Sequence, residues 1–424
     1  MKASIFLKLL AIICVAMVFY TCEDSTYREY KAYTPVYMSF NDLRSAVKSE
    51  QNIDLQNPGK IYFKDNYLFI IEELKGFHVY DNSDPASPVK KNFIKVPGII
   101  DMTISGNIMY ADSYVDIVIL DLQNIANINE VGRMKDIIPY TVPKYNNDYP
   151  IGRVDEEKGV VTGWELRTIR ERVDYQPPDY LLYTPRIAGD ATFFNSISSG
   201  VGGGGIGVGG SMARFGIKDN VLYLLGKNSL KIIDIKSQKN PVVLNEIYPG
   251  VNLETMFLTS YYMFLGTTTG MIIYDVTVAS NPKSKVVFNH AKSCDPVIVD
   301  DTLAYVTLRT GNTCNGNVNC LDVVNIKDIT KPVRLVTYPM TNPHGLGKSG
   351  KLLFICDGSA GLKIYDATNP KSLGDAIKTY PGINAYDVIP LGSVLVMIGD
   401  DGLFQYDYSN IQNITLKSKI GVVK

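Results

Sequence analysis

A five-residue phrase of β-forming residues, closed by an acid or an amide, occurs seven times along this 424-residue chain. Its plainest copy is Leu362-Lys363-Ile364-Tyr365-Asp366, and the others close at Asp81, Asp121, Asp234, Asp275, Asn325 and Asp407. The steps between closing residues are 40, 113, 41, 50, 41 and 41. A period near 40 marks an array of stacked supersecondary units, because a unit of that size cannot bury its own apolar surface alone. The 113-residue step holds one period plus an insertion of about 73 residues, 138–212. The 50-residue step holds a short extension around residues 311–320.

One period reads as four strands. Residues 60–63 and 67–71 form strands a and b, split by the turn pair Asp65-Asn66. Gly76 introduces the phrase as strand c, Asp81 to Pro85 make the c–d turn, and residues 89–95 form strand d. Strands such as 394–398 (Val-Leu-Val-Met-Ile) are apolar on both sides, which requires burial of both sheet faces. Stacking seven such sheets radially supplies that burial, and closing the ring limits exposed edges. The expected fold is therefore all-β: a seven-bladed β-propeller of four-stranded antiparallel blades over 59–424, with the insertion between blades two and three. An eighth blade would have to come from the insertion. The copies resemble the LVIVD repeat, a β-propeller repeat found mainly in bacterial and archaeal surface proteins. That resemblance implies a fold and a setting, and carries no shared reaction with it.

The first 21 residues read as an address. Lys2 and Lys8 precede an apolar core from Leu9 to Tyr20, too short for a membrane span. The segment ends at Phe19-Tyr20-Thr21-Cys22, which resembles a lipobox of the looser Bacteroidetes type, and Glu23-Asp24 resembles the surface-export signal of such lipoproteins. Cys22 is then the expected lipid-attachment residue, and two acyl chains give stable anchoring. The expected location is the outer membrane, facing periplasm or medium, with the membrane as one partner. Residues 22–58 read as a polar tether with one strand at 36–40, which could help close the ring, and a helical turn at 41–47.

Charge is balanced, 42 Lys and Arg against 43 Asp and Glu, so no nucleic-acid partner is expected. Strand order places every d–a and b–c connection on one face. That face carries the insertion, the blade-five extension and the tether, and loops on a rigid scaffold are where recognition sits. The opposite face has tight turns, and the seven closing acids and amide are read there as turn residues accepting from backbone N–H groups.

The ends of strand b define a rim on the loop-bearing face. It holds Glu72, Glu73, Asp112, Ser113, Tyr114, Lys227, Thr267, Arg309, Asp357, Asp400 and Asp401, with His344 in a neighbouring d–a loop. Carboxylates outnumber cations, as suits a polar funnel for a cation, a sugar or a basic peptide; the competing reading is a solvated rim bonded to loop backbones. Cys294, Cys314, Cys320 and Cys356 lie on this face in an oxidising compartment, with Cys314–Cys320 the favoured disulfide among three pairings. The spacing of Cys294, Cys314 and Cys320 matches no zinc site, so neither metal nor cofactor is expected. The tract Gly200–Gly210 lacks the Lys-Ser/Thr of a phosphate loop and reads as a flexible loop, residues 160–173 as a strand or hairpin beneath it, and residues 175–183 as a Tyr/Pro-rich contact segment. No hydrolase or metalloprotease motif occurs. The expected function is a non-catalytic, anchored binding or scaffold module for a protein or glycan. The alternatives are a polysaccharide hydrolase or lyase using Asp112 and Asp357, and an accessory subunit of an outer-membrane assembly.

Overall fold

The computed structural model describes residues 27–50, 53–172, 187–188, 208–209, 211, 213–268, 270–289, 296–310 and 318–423. The sequence-derived frame is observed: seven four-stranded antiparallel sheets, each built from consecutive strands a to d. Blade one comprises Pro58–Lys64, Tyr67–Glu72, Gly76–Asp81 and Val89–Lys95. Blade seven comprises Ala385–Leu391, Val394–Gly399, Gly402–Asp407 and Thr415–Gly421. The repeated phrase is strand c in every blade.

Burial falls from the axis outward. Strand b is apolar and buried on both faces, as in Val221–Leu225 of blade three, whereas the outer strand d of that blade, Val242–Ile247, is largely exposed. Every seam between neighbouring blades is filled by apolar side chains, one continuous cluster running across the two seams from blade four to blade six. At the seam of blades six and seven, Phe354, Leu362 and Ile364 meet Leu395, Met397 and Phe404. Six blades also carry a register shift between strands c and d, at Val79/Tyr80 in blade one and at equivalent places in blades two, three, four, five and seven. Such bulges increase local twist, which suits blades fanned around an axis. In blade six, strand d is cut to Lys378–Tyr380 and pairs without a shift.

All seven closing residues do the same work. The Oδ1 atoms of Asp81, Asp121, Asp234, Asp275, Asn325, Asp366 and Asp407 accept from the backbone N–H two residues on, at 2.7 to 3.0 Å. Hydroxyls of Ser83, Thr277 and Ser409 add a second bond, and these bonds hold Asp81, Asp275 and Asp407 down at about 2. These acids therefore belong to exposed turns, as the sequence implied.

The ring closes without a shared strand. Ile61, Leu68 and Ile70 of blade one pack on Ile389, Val396 and Ile398 of blade seven. Asn82 and Gln405 exchange two side-chain hydrogen bonds, at 3.0 and 2.7 Å, across this buried seam. Ser418 Oγ donates to the Pro85 carbonyl, and Val423 N donates to the Leu55 carbonyl.

The N-terminal arm departs from expectation. Its strand is longer than the one expected at 36–40 and pairs outside the blades, so the strand takes no part in closing the ring. Tyr27–Met38 forms a continuous strand that pairs antiparallel with Val160–Arg172 of the insertion, from Tyr27↔Arg172 to Met38↔Val160. The partner of the expected insertion hairpin is thus more than 120 residues upstream. The short helix Phe40–Ser45 follows, near the expected turn and capped by Ser39. Leu43 is buried against Tyr114, Val115 and Val160. Arg44 bonds Asp116 at 3.0 Å and Asp136 at 2.8 Å, fastening the helix to blade two. Lys48–Glu50 then adds a further strand to the outer edge of blade one.

Replacing Gln405 by Leu leaves the buried Asn82 amide without its partner. The expected cost is about 1–3 kcal/mol, read as a lower urea midpoint; an unchanged midpoint would show that the amide pair contributes nothing to closure.

Candidate functional site

The rim residues named from sequence lie at the ends of strand b, and three of their carboxylates face the chain's own backbone. Glu72 accepts from the N–H groups of Gln56 at 2.9 Å and Asn57 at 2.7 Å, in the segment that leads into blade one. Asp112 accepts from Ile100 at 2.7 Å and Asp101 at 2.9 Å, leading into blade two. Asp357 accepts from Thr341 and Asn342, leading into blade six, and receives Lys363 Nζ at 2.6 Å. In three blades, then, a buried carboxylate latches the loop that starts its own blade. Burial raises Asp112 to about 6 and Glu73 to about 8, the latter bonded by Asn57 Nδ2 at 3.0 Å.

The other named residues divide between contact and solvent. Tyr114 is buried under the helix 40–45, with a positive φ of 55°. Arg309 Nη1 lies 3.1 Å from His344 Nε2, and His344 also meets Asn342 Nδ2 at 3.2 Å. Burial, and then the Arg309 charge, hold His344 at about 3, so the ring is neutral; burial brings Arg309 to about 10. Lys227 and Asp400 are exposed, Asp400 receiving Asn384 Nδ2 at 2.7 Å, and Asp401 is half-buried. Cys320 and Cys356 are both buried, and Cys356 carries a free thiol at the seam of blades six and seven. Cys22, Cys294, Cys314, His290 and residues 175–183 lie outside the described residues. Among the described residues, no three His, Cys, Asp or Glu side chains gather as a metal-binding group.

The side chains that do converge were missed. Seven positions before the first residue of strand b stand Lys60, Asp101, Arg214, Thr255, Pro296, Gly345 and Asp387, one per blade. Ordered around the ring, blades seven, one, two and three contribute Asp387, Lys60, Asp101 and Arg214, an arc in which acids and bases alternate. Asp101 is fully buried and accepts from Lys60 Nζ at 2.7 Å, Arg214 N at 2.6 Å, Met102 N at 2.8 Å and the Tyr62 hydroxyl. Burial and the Asp101 charge push the Tyr62 phenol well above its ordinary value.

The axis itself is occupied by the end of the insertion. Val208 and Gly209 pair with Phe63 and Tyr62 on the inner edge of blade one. Ser211 donates through N and Oγ to Asp387 Oδ1 of blade seven, at 3.1 and 3.2 Å, and its Oγ accepts from Leu346 N of blade six at 2.7 Å. Ala213 bridges Met256 of blade four. A segment this short can touch blades on opposite sides of the ring only at their common centre. The tail of the glycine tract is therefore a channel plug where a flexible loop was expected; residues 200–207 lie outside the described residues. Small residues are required: a Cβ at Gly345 would lie 2.2 Å from Asp387 Oδ1 and 2.9 Å from Ser211 Oγ. The frame of repeats could have revealed the charged arc, since its members share one register. Nothing local marks the plug, whose partners are spread over the ring.

With this geometry in place, the class of protein is clear: the chain is a seven-bladed β-propeller carrying an LVIVD repeat. The LVIVD repeat profile matches residues 59–94, which form blade one. Among solved structures, the chain is similar to the computationally designed Ika8 protein, with 8% identity over 89% of this chain and 91% of that one, at a TM-score of 0.52. It is also similar to a protein from Lactobacillus plantarum, with 9% identity over 84% and 97%, at 0.51. The periplasmic gluconolactonase PpgL of Pseudomonas aeruginosa matches with 10% identity over 86% and 95%, at 0.49. No curated protein matches the sequence.

Asp387 yields a pH prediction. Its side chain is fully buried, its Oδ2 atom has no hydrogen-bond partner among the described residues, and burial raises it from 3.8 to about 8. Between those values the folded state holds a proton that the unfolded state has lost, so this group lowers stability as pH rises from about 4 to about 8. Asp387→Asn should flatten that decline and raise the urea midpoint at pH 9 relative to the parent. A parent and variant with parallel pH profiles would remove Asp387 as the cause.

Proposed function

We propose that this protein is a lipid-anchored propeller of the cell envelope that binds a protein or glycan on its loop-bearing face. The observation carrying this reading is the use made of the rim. Asp112 and Asp357, the acids a hydrolase would need, are buried and bonded to backbone amides of separate loops. The plug segment takes the axial position that a substrate would enter. A binding role needs neither feature free: it needs a rigid ring, exposed loops and a surface that differs from blade to blade. The expected anchor is Cys22.

The accessory-subunit reading draws on a different feature. The N-terminal strand and the insertion form one ribbon with a small core of its own, where Val142, Val154 and Val161 pack with Tyr37, Tyr140 and Trp164. Such a unit, built outside the blades, suits docking to a membrane partner.

Two measurements test these readings. Cys22→Ala should move the protein from the membrane to the soluble fraction; unchanged fractionation rejects the anchor. Cross-linked capture from native membranes, with a glycan array alongside, should return a ligand whose recovery falls at least several-fold when two exposed charges of the rim are reversed together, by Lys227→Glu and Asp400→Lys. Recovery that responds only to changes in the c–d turns would place binding on the other face and reject the proposal.

A further inference from the structure

The geometry points to a fixed orientation: we propose that the ribbon of Tyr27–Met38 and Val160–Arg172 rests on anionic lipid headgroups and turns the loop-bearing face toward the bilayer. This rests on the anchoring through Cys22 proposed above and adds to it a direction.

The first ground is length. From Tyr27 onward the arm is paired along its whole strand, then locked by Leu43 and by the Arg44–Asp116–Asp136 bonds. Only residues 23–26 separate Cys22 from the first paired residue, and five residue steps span at most about 18 Å. The strand from Tyr27 to Met38 is 12 residues long, about 36 Å at some 3.3 Å for each of its steps. The ribbon tip is therefore the part of the described structure held nearest the acyl chains. Its base packs on Tyr114 and Val115, at the strand-b end of blade two, which is the loop-bearing side of the ring. The seven Asx turns lie on the far side.

The second ground is chemistry. The outer half of the ribbon presents Arg28, Lys31, Arg167, Arg170 and Arg172 against Glu29, Glu165 and Glu171, an excess of cations. Arg170 lies over the Tyr27 ring at 4.4 Å, and Arg28 over the Tyr30 ring at 5.4 Å. Tyrosine and arginine together are the side chains that settle at a headgroup layer, and juxtamembrane cations are drawn to anionic lipid. The bonds of Arg28, Arg167 and Arg170 to Glu171, Glu165 and Glu29 run within the ribbon itself, and the Tyr33 backbone bonds residues 150 and 152. A partner's β-strand is a poorer occupant, because charged side chains along both strands blunt edge-to-edge pairing.

The test couples the mature chain through Cys22 to maleimide lipid in vesicles containing phosphatidylglycerol and a dansyl headgroup acceptor, with Cys294 and Cys314 replaced by Ser. Donors are placed by Tyr248→Trp, in the d–a loop after blade three, or by Tyr261→Trp, in an a–b turn of blade four; both tyrosines are exposed. Trp164, the single native tryptophan, is common background. Energy transfer should be at least twofold greater from position 248 than from 261. Equal or reversed transfer overturns the orientation. The excess should collapse in pure phosphatidylcholine and in the Arg170→Glu, Arg172→Glu variant; an excess that survives both overturns the role of headgroup charge. Because coupling here is chemical, a failure of natural acylation shows only in the Cys22→Ala fractionation, and the two results are read apart.

Discussion

Every blade depends on its neighbours at the seams. Strand b is buried on both faces, so a lone sheet would expose two apolar surfaces, and each of these is covered only by the next blade. The seam between blades one and seven joins the two ends of the repeat array without a shared strand. There the apolar contacts are supplemented by directional ones: the Asn82–Gln405 amide pair, the Ser418–Pro85 bond and the Val423–Leu55 bond. Apolar packing alone would tolerate sliding between blades, whereas two reciprocal amide bonds accept one relative position.

Closure at that position brings seven strands a to a common centre, and the site follows from this crowding. The buried Asp101 carboxylate is paired with Lys60 and takes a further bond from the Arg214 backbone N–H, where an isolated buried charge would be costly. Gly209 and Ser211 run close beside them, where a Cβ at Gly209 would meet the Tyr62 ring and one at Gly345 would meet Asp387 and Ser211. Carboxylates do two kinds of work in this ring. Asp81, Asp275 and Asp407 sit in c–d turns and are held low by local hydrogen bonds, while Glu72, Asp112 and Asp357 at the rim are buried, bind loop backbones and, at Asp112, are raised by desolvation. Both kinds serve the fold. A recognition role on exposed loops is compatible with such a ring, since it leaves the buried polar network intact.

Much of this was legible from the chain. The spacing of the phrase set the blade count, the Asp-Asn and Asp-Pro punctuation set strands and turns, and the closing acids were rightly assigned to those turns. Hydrogen bonding to loop backbones was one of two readings of the rim, and Glu72, Asp112 and Asp357 make such bonds. The N-terminal strand was read too short. Its outer residues, Tyr27 to Lys31, are polar or aromatic and mostly exposed, so the alternation that betrays a half-buried strand is absent there.

What the sequence determined by itself was therefore whatever repeats: strand order, turn chemistry and the number of blades, all written within about 40 residues of one another. The tertiary structure alone decided the pairing of Tyr27–Met38 with Val160–Arg172, the entry of residues 208, 209, 211 and 213 into the axis, and the bonds of Asp101 to Lys60 and Arg214 and of Asp387 to Ser211. These contacts join segments up to several hundred residues apart. The axial contacts among them pair a buried charge and fill space at a centre that exists only after the ring has closed.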